Sequence, residues 1–120
     1  MLKVHARNLG DVTVLCLQGQ IVNGETETLR KVALSQSRVS AIVLDLARVS
    51  TIDAGGLGLM LMLREQTESR GIRFRLMNAS KNVSRVLEIT RLDSVFEVTS
   101  GVELWPAISR AQLRELASCA

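Results

Sequence analysis

The run Ala41-Ile42-Val43-Leu44-Asp45-Leu46 constrains the fold more than any other segment. It is apolar without alternation until Asp45 interrupts it near its end, so neither side of a strand built from it suits water. It reads as a central strand buried on both faces, which calls for covering layers and therefore for an α/β protein. Val49 to Ile52 reads as a short extension of the same strand.

The segments on either side fit that demand. Leu2 to Arg7 alternates apolar and polar, Gly10-Asp11 marks a turn, and Val12-Thr13-Val14-Leu15-Cys16-Leu17 is β-rich and bounded by Gly19, which predicts a hairpin. Asn23 followed by Glu25 and Glu27 predicts a first helix starting there, with Leu29, Val32 and Ala33 as its buried stripe. Asp53 opens a second helix that runs to about Ser69, with Gly71 as its stop. Ile72 to Met77 reads as a strand. Asn78 or Ser80 caps a third helix carrying Val83, Val86 and Leu87, and Val95 to Val98 forms a brief strand. A fourth helix is expected from about Val102 to Leu116, with Pro106 in its first turn and Trp105 and Ile108 as core anchors. The order β β α β α β α β α predicts a mixed, mainly parallel sheet of four to five strands with four helices and right-handed crossovers. The 120 residues suffice for one core, so a single domain over 1–116 is expected, followed by a frayed tail at 117–120.

Composition narrows the function classes. Hydrophobic residues make up 47% and charged residues 22%, in the range of a globular protein. The net charge of +3 comes from scattered arginines and lysines with no basic arm, read here as a solvated, slightly basic surface. With no Tyr, two Phe and one Trp, the chain has little to stack on bases, which argues against nucleic acid. Cys16 lies in an apolar run and reads as a core residue, Cys119 as an exposed tail residue, and the lone His5 as an ordinary strand residue, so no metal-ligand spacing exists. No apolar stretch follows the first charge as in a signal peptide, and the apolar run Leu57 to Leu63 is far short of a membrane span. A cytoplasmic protein is expected, with no cofactor.

The most informative stretch is Thr51-Ile52-Asp53-Ala54-Gly55-Gly56-Leu57-Gly58-Leu59-Met60-Leu61-Met62-Leu63. Asp53 can cap the helix by accepting from the amide of Gly55 or Gly56. Glycines at 55, 56 and 58 leave the first turn's backbone bare, at about 1 kcal/mol each relative to Ala within a helix. Close packing against a neighbouring strand and close approach of a partner's backbone both explain them. Leu57, Leu59, Met60, Leu61, Met62 and Leu63 ring the helix, and a helix lying on a sheet buries only one side of such a ring. The remainder is left for neighbouring helices, another subunit or a partner.

These residues carry a resemblance. Leu15-Cys16-Leu17-Gln18-Gly19-Gln20-Ile21-Val22, Ile42-Val43-Leu44-Asp45-Leu46 and above all Ile52-Asp53-Ala54-Gly55-Gly56-Leu57-Gly58 resemble a STAS domain, in the branch of the anti-sigma factor antagonists. The third segment is similar to that family's Asp-Ser-Ser-Gly-Leu-Gly loop, and the likeness runs from about Val12 to Arg110. The resemblance implies a non-catalytic binding module whose partner is a protein, an anti-sigma factor that is also an ATP-dependent serine kinase. It places partner contacts at Gln20, Val22, Asp53, Ala54, Gly55, Gly56 and Leu57. A homodimer is compatible with it.

Phosphorylation of the second loop serine is implied to break the family's complex, since a phosphate adds nearly two charges to an interface. Here Ala54 and Gly55 occupy the two serine positions, so no phosphosite is expected at the usual place. Many antagonists carry an acid where this chain has Val22. The alternative is a STAS subunit of a lipid-transport ABC complex or a stressosome-like scaffold. Catalysis is not expected, because the chain has no paired acid and base, no Ser-His-Asp order and no phosphate loop with Lys.

Overall fold

The computed structural model describes residues 2–99. The fourth helix expected at 102–116 and the tail at 117–120 lie outside these residues. The strands are β1 (Lys3–Leu9), β2 (Val12–Ile21), β3 (Ala41–Ile52), β4 (Arg73–Met77) and β5 (Glu97–Thr99). Between them lie α1 (Glu27–Ser35), α2 (Ala54–Ser69), α3 (Lys81–Ile89) and a short 3-10 turn at Leu92–Ser94. The five strands form one sheet in sequence order. β1 and β2 pair antiparallel as a hairpin, and every other neighbouring pair is parallel, as expected for strands joined through helices.

The run Ala41–Leu46 is buried throughout and forms the first half of β3, flanked by β2 and β4. Its residues divide between two clusters. Ile42, Leu44 and Leu46 join Leu15 and Leu17 of β2 and Phe74 and Leu76 of β4. The same cluster holds Leu29 and Ala33 of α1, Leu57, Met60 and Leu63 of α2, and Val83 and Leu87 of α3, so these helices cover one sheet face. Ala41 and Val43 point the other way, with Val12, Val14, Cys16 and Met77 in a second buried cluster. Cys16 is thus the interior residue its surroundings suggested.

The ends of the elements explain where the sequence reading was right and where it was not. α2 stops by a Schellman motif: the Gly71 N–H donates to Glu68 O and the Ile72 N–H to Thr67 O, both at 3.0 Å. Gly71 has φ +78°, which a side chain disfavours. α3 starts at Ser80, whose hydroxyl donates to Val49 O at 3.0 Å and accepts the Val83 N–H at 3.3 Å. α1 corrects the expectation. It begins at Glu27 behind Thr26, not behind Asn23, and Thr26 makes no side-chain cap. Asn23 lies four residues ahead of the helix, in a loop, and its N–H donates to the Asp53 carboxylate at the start of α2. The second strand is also longer than its apolar part: register shifts between Cys16 and Gln18 and between Gly19 and Gln20 carry β2 past Gly19 to Ile21.

Candidate functional site

The site forms where the C-terminal ends of β2 and β3 meet the first turn of α2. β3 ends at Ile52, and Asp53 leaves it in an extended conformation with φ −107° and ψ −176°. This non-helical residue lets the chain turn into α2, and its carbonyl accepts the first helical bond, from Leu57 N–H at 2.9 Å. The Asp53 carboxylate does two jobs. Its Oδ1 accepts the Gly56 N–H at 2.8 Å, which caps the helix. Its two oxygens also accept the Asn23 N–H at 3.1 and 3.0 Å, thirty residues back in the β2–α1 loop. The Asp53 N–H in turn donates to Ile21 O at 3.3 Å. One residue therefore ties the end of β2, the following loop and the start of α2 together. The Asn23 amide first, then that of Gly56, holds the Asp53 carboxyl below its ordinary range, because both stabilise the anion.

The glycines separate by role. A Cβ on Gly56 would stand 1.9 Å from Ile21 O and 2.8 Å from Ile21 C, so α2 rests directly on the β2 backbone at that point. A Cβ on Gly55 would meet Asn23 Cβ at 2.8 Å and its Cα at 3.1 Å, so the loop closes over this position. A Cβ on Gly58 would meet nothing within 4 Å. Of the two explanations for bare backbone, packing inside the chain thus accounts for 55 and 56 and leaves 58 open.

The apolar ring of α2 divides in the same way. Gly56, Leu57, Met60, Leu63 and Thr67 are buried. Leu59 and Met62 are half-buried against the core, and Leu61 is 37% exposed. Ala54, Gly58 and Leu61 recur at helical spacing, and all three are exposed. Around the rim, Gln20, Asn23, Asp53 and Gly55 are exposed and Val22 is half-buried. Of the seven expected contact residues, the structure gathers Gln20, Val22, Asp53, Ala54 and Gly55 at one accessible corner, while Gly56 and Leu57 lie beneath it. Gly58, one of the three bare glycines, and Leu61, one of the apolar ring, continue the exposed row from Ala54.

Asp45, the other acid at a strand end, accepts the Ala47 N–H at 3.1 Å and approaches the Asn78 amide at 3.5 Å, in keeping with a structural role. Among the described residues, no cluster of three or more His, Cys, Asp or Glu is placed to hold a metal ion. No described helix is long and apolar enough to cross a membrane.

A sheet in this order, with an Asp-capped, glycine-rich helix start at its corner, defines the class of protein. The family model of the STAS domain matches residues 3–107, and the chain belongs to that family. Among individual proteins, a STAS-domain containing protein of Pseudomonas aeruginosa is 26% identical over 94 residues, spanning 75% of this chain and 90% of that one. Two solved structures share the fold. An anti-sigma factor antagonist from Mycobacterium paratuberculosis superposes with a TM-score of 0.73 at 18% identity, covering 98% of this chain and 95% of its own. The unphosphorylated form of the antagonist SpoIIAA, a Bacillus protein, gives 0.70 at 20% identity, with 98% of each chain covered.

Proposed function

We propose that this chain is a non-catalytic regulator of the anti-sigma factor antagonist type. It docks on a serine-kinase-type anti-sigma factor in the cytoplasm and lacks the phosphoryl switch at the loop. The docking face comprises Gln20, Val22, Asp53, Ala54 and Gly55, extended along α2 by Gly58 and Leu61. The observation that carries the reading is the outward face Ala54–Gly58–Leu61: a small, small and aliphatic surface on a helix whose other side is fully used by the core. Such a surface lets a partner's backbone approach closely and supplies apolar area at its centre.

The position of the usual serine is Gly55, and Asn23 stands where its side chain would project. The chain therefore has neither the hydroxyl nor ready space for it. Binding is constitutive in this reading, and control passes to the partner or to the amount of protein made.

Co-purification with kinase-type anti-sigma factors encoded by the same genome tests the proposal. A stable complex is expected, and incubation with ATP should neither dissociate it nor add phosphate to this chain. Failure to associate with any of them, or release by ATP with a phosphate mass gained, contradicts it. Co-purification with a permease and ATPase instead would point to the transport alternative.

A further inference from the structure

A second feature lies toward the same end of β2 and β3, on the sheet face away from α1, α2 and α3. Lys3, His5 and Arg7 alternate along β1, and the antiparallel register sets them opposite Gln18, Cys16 and Val14. Parallel pairing then places Arg48 of β3 beside Gln18 on the other side. Residues paired in this way share a face, so Lys3 and Arg48 flank Gln18 on one row while His5 and Arg7 follow along β1 at the Cys16 and Val14 rows of the same face. They line a cavity of about 390 Å³ with Cys16, Leu17 and Gln18.

Like charges gather at an energetic disadvantage unless something answers them. Among the described residues, no hydrogen bond or ion pair engages the side chain of Lys3, His5, Arg7 or Arg48. The Arg7 Nε is buried and has no hydrogen-bond partner. Asp45, in register with Cys16, is absent from the lining and is engaged by Ala47 and Asn78.

We infer that this cavity binds a small soluble polyanion carrying phosphate groups. Its size falls at the lower end of small-molecule sites, about 300–1,000 Å³. Two guanidinium forks suit phosphate oxygens in paired hydrogen bonds, with Lys3 as a point charge at the rim. Among the described residues that line the cavity none is aromatic, and the inferred recognition is of the phosphates.

Titration of the full chain with sodium diphosphate, by calorimetry at low ionic strength, tests the inference. Saturable one-to-one binding is expected, weakening as salt is added. Arg7→Gln and Arg48→Gln should each weaken it about tenfold or more, the loss of roughly one charge-assisted hydrogen bond. Lys3→Gln should weaken it less. If Arg7→Gln does not fold, the variants at Arg48 and Lys3, whose side chains are exposed, decide the matter. Absence of saturable binding, or binding that none of the folded variants changes, overturns the inference. Citrate binding as tightly as diphosphate would overturn the phosphate assignment.

Discussion

The two sides of helix α2 use the same residue types for opposite ends. On the inner side, Gly56 lets the helix touch the Ile21 carbonyl, and Leu57, Met60 and Leu63 fill the space between helix and sheet. On the outer side, Gly58 touches nothing and Leu61 faces solvent beside it. A glycine is a packing device where a neighbour's backbone lies within reach and an exposed patch of backbone where none does. The inner side therefore belongs to the fold. The outer side contributes little to stability, which frees it to serve recognition.

The largest expected effect lies inside. Gly56→Val places a Cβ and two methyls against the β2 backbone, which no rotamer relieves, and should destabilise by more than about 3 kcal/mol. Denaturant unfolding should show a midpoint far below the parent's, and a midpoint near the parent's would break the comparison at its root. Met60→Ala comes next: the side chain is fully buried, and its loss should cost about 2–5 kcal/mol. Affinity for the partner should fall only as far as the folded fraction does.

Asp53 stands between the two sides, and pH reveals its share. Its carboxyl is held lower in the folded chain than in the unfolded one, so its stabilising contribution is full above the ordinary carboxylate range. That contribution is lost as pH falls through the depressed value and protonation frees the Asn23 and Gly56 amides. Melting temperature followed downward from neutral pH should drop more steeply for the parent than for Asp53→Ala, which starts lower. Parallel curves would deny the carboxylate its bridging role.

The smallest change in stability is expected outside. Gly58→Ala adds a methyl to open space and should stabilise the helix by up to about 1 kcal/mol. A stabilised protein that binds its partner less well would sharpen the division between the two sides.

Much of this was legible from residue order, and the parts that were not share a cause. The central strand could be read from Ala41–Leu46 because an apolar run has few homes in a small protein. The Asp53 cap and the Gly71 stop could be read because capping is local. The start of α1 could not, since Asn23 looks like a cap in isolation, yet it sits in a loop tied to a carboxylate thirty residues away and the helix begins only at Glu27. The same distance effect hid the basic cavity. Lys3, His5 and Arg7 alternate visibly, yet Arg48 joins them only through the register of β2 and β3, set beyond a bulge. Arginines that look scattered along the chain line one cavity in the fold. Nor could residue order tell Gly56 from Gly58, because the difference is the position of one carbonyl oxygen.

The separation of recognition from stability rests on Leu61, the exposed apolar residue at the end of the outward row. Calorimetric titration of Leu61→Arg against the proposed partner, a kinase-type anti-sigma factor, with its unfolding free energy measured alongside, tests it most directly. The account predicts a stability within about 0.5 kcal/mol of the parent's and binding weakened by at least tenfold, about 1.4 kcal/mol. Unchanged affinity in a folded Leu61→Arg protein would contradict it.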